Sequence, residues 1–240
     1  MIATALKYLI SIATPQPLEL EQRPYTTAQV FPVKTPLPAA LDINTLTGIK
    51  DYLKENIDGL ELDHLMVHVL GPKTVLVKSR LLGPFEDRAG YVTALHKQPE
   101  FAFGKYLDIE SFIIELQSKF VQDETTGRIL QLVGTITDDQ IQVYADDGVT
   151  QAVTAKNSIG MMAQQEVPNP VILFPRRSFN EIDQVMGRFV LRMKSGTTTA
   201  TARPAVALFE SDGGMWELDA IAAICAWLRA NIPDDVAIIA

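Results

Sequence analysis

The sequence predicts an α+β fold, built on a mainly antiparallel sheet with several packed helices. Strand-like segments follow one another in series, and helical segments are grouped between them instead of alternating with each strand. Apolar residues make up 47% of the 240 residues, which is ordinary for a protein with a packed core. No repeat and no clear linker divides the chain. We therefore expect a single domain over residues 1–240, with an N-terminal apolar helix and arm over about residues 1–42.

The first element is an apolar helix in the segment MIATALKYLISIATP. Its large side chains face nearly every side, so a neighbouring surface must cover them. Pro15 ends the apolar run well before the roughly 20 residues that span a bilayer. Lys7 lies inside the run, whereas a signal peptide carries its charge before the run. We therefore predict no membrane contact. The helix either packs into its own domain or, as we expect, holds a homo-oligomer through Ile2, Leu6, Leu9 and Ile10.

The segments that follow have strand and helix patterns in turn. LELEQRPYTTAQVFPV predicts two short strands around a turn, and NTLTGIKDYLKENIDG predicts a helix with apolar residues at helical spacing. HLMVHVLGPKTVLVK predicts a hairpin in which Val69 lies opposite Val75 and Val67 opposite Val77. DIESFIIELQSKF predicts a helix capped by Asp108. A helix over about residues 215–231 then precedes VAIIA, which has the pattern of a buried last strand.

Composition narrows the functional classes. The formal net charge is −8, so we do not expect free nucleic acid as a partner. The single cysteine, Cys225, excludes an internal disulfide, fits a reducing cytoplasm, and lies in an apolar helical stripe that predicts burial. The sequence contains no phosphate-loop, dinucleotide-binding or serine-hydrolase motif, and we predict no cofactor.

Two adjacent acids occur in the stretch QVYADDGVTQAVTAKNSIG. A three-residue loop of Asp146, Asp147 and Gly148 would place most apolar residues of the flanking strands on one face, with Val143 opposite Gln151. We therefore interpret the two aspartates as turn formers. A metal site at Asp146 and Asp147 is the alternative, although no third ligand has a recognisable spacing.

Two histidines, His64 and His68, have the spacing of a zinc pair on a helix. Here the spacing falls in a strand of alternating valines, where four residues span about 13 Å. Imidazoles that far apart do not share an ion whose bonds are near 2 Å. We predict that both histidines are structural or exposed to solvent.

Basic residues are concentrated between Arg176 and Arg203, against the acidic net charge. In the strand RFVLRMKSG the apolar and basic residues alternate, so that the basic ones should share the outer face. We expect a solvated sheet face or a subunit contact, with an anion or nucleic-acid site as the alternative. The candidate residues for that site are Arg176, Arg177, Arg188, Arg192 and Lys194.

The stretches DDGVTQAVTAKNSI, VPNPVILFPRRSFNEIDQVMGRFVLRMKSG and ALFESDGGMWELDAI together resemble a family of phage and prophage proteins of unknown function. YfdQ-like prophage proteins are its distant relatives, and the helix DIESFIIELQSKF has a similar place before a strand pair. The similarity covers roughly residues 45–230. It implies a phage-encoded protein in the cytoplasm of an infected bacterial host, and it carries over no catalytic residue.

From these patterns we expect a phage-encoded, non-enzymatic, self-assembling accessory protein that acts by binding or scaffolding. Its partners would be copies of itself and another phage or host protein. Two alternatives stay open. One is a Mg²⁺-dependent hydrolase or nuclease that uses the aspartate cluster, and the other is a nucleic-acid or nucleotide binder that uses the basic strand.

Overall fold

The computed structural model describes residues 2–13, 17–20, 23–26, 36–83, 86–135, 143–146, 151–156, 162–167, 169–194 and 204–240. Contacts between Cα atoms divide the chain into two units, Met1–Leu37 and Pro38–Ala240. Within the described residues, helices combine with mostly antiparallel sheets, which confirms the predicted α+β class.

Most of the predicted elements are present. In chain order, the α-helices are α1 (Ile2–Ala13), α2 (Leu46–Glu55), α3 (Ile109–Lys119), α4 (Glu124–Gly134) and α5 (Met215–Asn231). The strands are β1 (Pro17–Leu20), β2 (Arg23–Thr26), β3 (Leu41–Ile43), β4 (Leu65–Gly71), β5 (Thr74–Ser79), β6 (Gly90–Leu95), β7 (Leu107–Asp108), β8 (Val143–Asp146), β9 (Gln151–Lys156), β10 (Met162–Val167), β11 (Val171–Leu173), β12 (Gly187–Lys194), β13 (Ala205–Glu210) and β14 (Ala237–Ile239).

The unit Met1–Leu37 contains α1 and a hairpin. Strands β1 and β2 pair antiparallel, with Pro17 opposite Thr26, which confirms the two strands predicted there. Helix α1 exposes all of its side chains from Ile2 to Ile10.

The unit Pro38–Ala240 contains a five-stranded sheet in the order β14-β4-β5-β6-β3. Valines alternate along β4 and β5 and their inward faces match, because Val67 lies opposite Val77 and Val69 opposite Val75, as predicted. Helices α2 and α5 pack with this face, and Cys225 of α5 is buried in the resulting core, also as predicted. We call it the first core.

The same unit contains a four-stranded antiparallel sheet in the order β11-β12-β13-β7. Helices α3 and α4 cover its inner face and form the second core with it. Asp108 caps α3 as predicted, since its Oδ1 accepts a hydrogen bond from the Ser111 amide at 2.9 Å. The apolar stripe that the helix pattern predicted faces the sheet, and its most deeply buried members are Phe112, Leu116 and Phe120.

Two predictions about strands were wrong. Strand β14 is not buried: among the described strands it pairs only with β4 and forms the edge of the sheet, and Ile239 is 47% exposed. In the hairpin of β8 and β9, Val143 lies opposite Val153 and Asp146 opposite Gln151. The connection is therefore longer than three residues and begins at residue 147. The predicted loop of residues 146–148 placed Val143 opposite Gln151, whereas the four residues between β8 and β9 place Asp146 opposite Gln151 instead.

One segment connects the two cores, and we call Phe174–Met186 the junction segment. At its start, the Arg176 amide donates to Lys119 O at 2.7 Å, beside the second core. Further along, Phe179 and Ile182 are buried in the first core. The Ser178 hydroxyl also donates to Pro72 O at 2.6 Å, at the turn between β4 and β5. The junction segment thus contacts both layers of the unit.

Candidate functional site

A buried arginine lies in the junction segment. Arg177 is 3% exposed, and its Nη1 donates a hydrogen bond to Glu210 Oε1. Its Nη2 lies 3.7 Å from Asp212 Oδ2, and its Cζ lies 3.7 Å from the ring centroid of Trp216. Burial lowers the pKa of this guanidinium, and the carboxylates of Glu210 and Asp212 oppose that shift. An arginine keeps its proton in proteins, so the charge must be balanced locally, and these neighbours balance it.

Gly187 provides the space for this guanidinium. A Cβ atom at Gly187 would lie 2.8 Å from Arg177 Nη2 and 2.6 Å from Phe189 Cζ. Contacts that short do not occur, so any side chain at this position would displace the arginine or the phenylalanine.

The loop from Ser211 to Gly214 joins β13 to α5 beside the arginine. Gly213 and Gly214 have φ values of 64° and 83°, in the left-handed region that favours glycine. Asp212 orders the loop, because its Oδ1 accepts a hydrogen bond from the Gly214 amide at 3.1 Å. The same carboxylate faces Arg177, so one residue connects the start of α5 to the buried cation.

A surface pocket of about 320 Å³, which we call the α5 pocket, lies at the start of α5. It has charges of both signs, and Arg188 and Asp219 make no ion pair with any residue that the structure describes. The lining residues are Met186, Arg188, Ser211, Asp212, Met215, Trp216 and Asp219.

A second pocket, of about 340 Å³, lies at the start of α2, and every residue that lines it has a polar side chain. His96 is buried in its wall, and its Nε2 has no hydrogen-bond partner among the described residues. Glu181 Oε1 accepts a hydrogen bond from the Thr47 amide at 3.1 Å, so a carboxylate of the chain itself already occupies the start of α2. The lining residues are Asn44, Thr45, His96, Lys97, Gln98, Asn180 and Glu181.

The basic residues predicted as an anion site do not form one cluster. Arg177 is buried against acids and an aromatic ring, whereas its neighbour Arg176 is exposed. Arg188, Arg192 and Lys194 share the outer face of β12, as the alternation predicted. Their apolar neighbours Phe189, Leu191 and Met193 are buried in the second core.

Lys194 makes a specific contact on this outer face. Its Nζ lies 3.8 Å from the ring centroid of Tyr106, a cation–π distance. Arg192 is half-buried, so Arg188 and Lys194 are the exposed cations of the strand.

The metal hypothesis involves residues at the edge of the described structure. Asp146 ends β8, whereas Asp147 and Gly148 lie outside the described residues. The site at Asp146 and Asp147 therefore stays a prediction, and so does the role of Gly148 in the turn.

A different acidic cluster lies around His64. The sequence predicted this histidine in a strand, and that prediction was wrong. His64 lies in a 3-10 helix, Leu62–His64, that precedes β4. Its Nδ1 lies 2.5 Å from Glu61 Oε2, and its Nε2 lies 3.8 Å from Asp63 Oδ2. The two carboxylates thus flank opposite nitrogens of one imidazole. Each of the three side chains offers one ligand atom, and these atoms lie within 4.8 Å of one another, but both carboxylates are exposed and exposed acidic groups are common without a metal ion.

The four contact residues predicted on α1 are all exposed. Their exposed fractions range from 52% for Leu6 to 80% for Ile2, with Leu9 and Ile10 in between. Among the described helices, none is both long enough and apolar enough to cross a membrane.

Sequence reasoning did not find the cluster of Arg177 with Glu210, Asp212 and Trp216. Two adjacent arginines lie in the junction segment, and nothing in the local pattern tells which one is buried. The acids and the glycine pair of ESDGGMW lie more than thirty positions after Arg177, and no local pattern links the two.

Comparisons of the chain with family models, with curated proteins and with solved structures found no match.

Proposed function

We propose that this protein works by self-association, as a non-enzymatic accessory protein that binds or scaffolds, and that α1 is a contact between copies. The observation that carries the proposal is the exposure of large apolar side chains along α1. A phage-encoded, cytoplasmic context is part of the proposal, and the family resemblance is its support.

The exposed residues of α1 form a seam suited to another helix. Ile2, Leu6 and Leu9 are separated by four and then three residues, which is the spacing of a coiled-coil seam. Ile10 lies beside them, within the same stripe roughly 100° wide. Lys7 lies off this stripe, so the seam itself carries no charge that would select a charged partner.

The length of α1 also favours a partner. A helix of 12 residues is at the lower limit of stability in water, because few hydrogen bonds offset the cost of nucleation. Burying its apolar stripe would stabilise it, at roughly 25 cal/mol per Å² of apolar surface removed from water. A second copy supplies an identical stripe, and identical stripes meet across a two-fold axis.

The test compares one added acid on and off the stripe. Leu6→Glu places a carboxylate in the seam, and Thr4→Glu places one on the opposite side of the same helix. Sedimentation of the intact chain should give an oligomer, which Thr4→Glu keeps and Leu6→Glu weakens. A monomeric intact chain at high micromolar concentration would end the proposal, and so would an oligomer that Leu6→Glu leaves unchanged.

A further inference from the structure

Four large apolar side chains are exposed in or beside the α5 pocket: Met186 and Met215 line it, Ile172 lies opposite the lining residue Arg188, and Leu218 is about one helical turn after Met215. These four side chains, which we call the apolar patch, come from β11, the junction segment and the first turn of α5, and their exposed fractions range from 43% for Ile172 to 63% for Leu218. Ile172 lies directly opposite Arg188 in the sheet, so both residues are on its outer face. The patch consists of Ile172, Met186, Met215 and Leu218.

The composition of the patch is that of a protein interface. Methionine, tryptophan and arginine are enriched where proteins associate, and methionine adapts its shape to an opposing surface. Here Met186 and Met215 line the pocket with Trp216 behind them, and the ring of Trp216 is held in place by Arg177. The floor of the patch is therefore rigid while its exposed side chains are adaptable.

The charges at the rim indicate what covers it. Arg188 and Asp219 line the same pocket, are exposed, and make no ion pair inside the described part of the chain. A partner of one charge sign would satisfy one of them and repel the other. A second copy turned about a two-fold axis satisfies both, because Arg188 of each copy can meet Asp219 of the other.

We propose that the α5 pocket and its apolar patch are the centre of a two-fold interface between two copies of this chain. The apolar side chains meet near the axis, and two reciprocal Arg188–Asp219 pairs lie around them. The proposal rests on the proposed self-association and adds a second surface to it, within Pro38–Ala240 and independent of α1. A specific interface covers about 800 Å² per partner, so the patch forms its centre and polar neighbours complete it.

Charge reversal tests the pairing directly. Arg188→Glu places two acids opposite each other across the axis, and Asp219→Arg places two cations there. Each variant alone should lose the contact, so that the sedimentation mass falls by half. An equimolar mixture of the two variants should restore the pair, because every charge then meets its opposite. Glu217→Lys, which changes the charge of α5 in a separate pocket beside the β4–β5 turn, is the control and should keep the contact.

The experiment is done in the full chain with Leu6→Glu added, which removes the seam of α1 from the result. Loss of association in single variants with recovery in the mixture supports the interface. A mixture that stays monomeric overturns it, and so does an Arg188→Glu variant that still associates. If the Leu6→Glu chain is already a monomer while the intact chain is an oligomer, the α5 interface is wrong and the role of α1 stands. If the intact chain is itself a monomer, both proposals fail.

Discussion

Arg177 is buried although a guanidinium is costly to remove from water. Its surroundings offset that cost with one direct hydrogen bond to Glu210, a second carboxylate nearby at Asp212 and the face of Trp216. An aromatic contact of this kind contributes about 2 kcal/mol when it is shielded from water. Because these groups come from the junction segment, β13 and α5, a single side chain connects three parts of the fold.

Removing this charge should destabilise the protein much more than removing its neighbour. Arg177→Met leaves Asp212 nine-tenths buried without its cation, and we expect a loss of about 3 kcal/mol in the free energy of unfolding. Arg176→Met is the matched control, because Arg176 is exposed, and it should change stability by no more than about 0.5 kcal/mol. Urea denaturation of both variants measures the difference. Equal effects would show that the buried cluster contributes little.

His96 gives stability a dependence on pH. Burial lowers the pKa of its ring in the folded protein, with Lys73 adding to the shift and the carboxylates of Glu100 and Glu181 opposing it. The unfolded chain, with a histidine pKa of about 6.5, therefore takes up the proton first as the pH falls. The neutral ring therefore contributes fully to the free energy of unfolding above the unfolded-state pKa. This contribution is lost as the pH falls through the folded-state pKa.

We expect the melting temperature to fall between about pH 7.5 and pH 5.5, and to fall less in a His96→Gln variant. The amide keeps polar groups in the ring's place but does not titrate, so the difference between the two profiles isolates His96 from other groups. Parallel profiles would contradict a buried neutral histidine.

At the scale of elements, two glycines show why the same substitution has opposite effects in different places. Gly127 lies inside α4, and a Cβ there would meet nothing within 4 Å. Gly187 begins β12, where a Cβ would meet both Phe189 and Arg177 at less than 3 Å. Backbone entropy favours alanine at the first position, whereas close packing excludes it from the second.

Gly127→Ala should therefore raise the free energy of unfolding by about 0.5–1 kcal/mol, as glycine-to-alanine changes inside helices do. Gly187→Ala should lower it by about 1–3 kcal/mol, the usual cost of overpacking. Chemical denaturation of the two variants against the parent chain checks both signs. A stable Gly187→Ala variant would show that Arg177 can move without cost.

At the scale of the whole molecule, the charge argues against nucleic acid as the main partner. The net charge of −8 repels a polyanion, and Arg177, one of the five predicted cations, is already paired with acids. The exposed cations of β12 still make a local basic surface beside Tyr106. The net charge repels a polyanion over a long range, whereas the basic surface of β12 attracts it only locally. Because that surface has few cations, we expect the repulsion to dominate.

We accordingly expect no binding of single-stranded DNA at physiological salt, measured by fluorescence anisotropy. Any binding at low salt should weaken steeply as salt is added and should disappear in an Arg188→Ala, Lys194→Ala variant, which removes the exposed cations of β12. Sub-micromolar binding at physiological salt that this variant abolishes would place the nucleic-acid alternative ahead of self-association.

Local patterns were enough to predict most elements. The helical spacing of the α3 stripe and its Asp108 cap, the matched valines of β4 and β5, and the alternation of β12 all arise from neighbours within a few residues. Each of these depends on the period of a helix or a strand, which a sequence shows directly. The predicted register between β8 and β9 was wrong because the sequence pattern distinguishes only weakly between two ways of pairing the apolar residues of these strands.

What only the tertiary structure decided is which residues meet across the two cores. Arg176 and Arg177 are adjacent and chemically identical, yet one is in solvent and the other lies on Trp216, because the junction segment turns between two sheets at that point. Arg188 and Asp219 likewise come together only because β12 begins beside the start of α5. The sequence by itself determined the class and most of the elements, since those follow from short-range periodicity. The candidate sites depend on contacts between distant residues, and no local pattern encodes them.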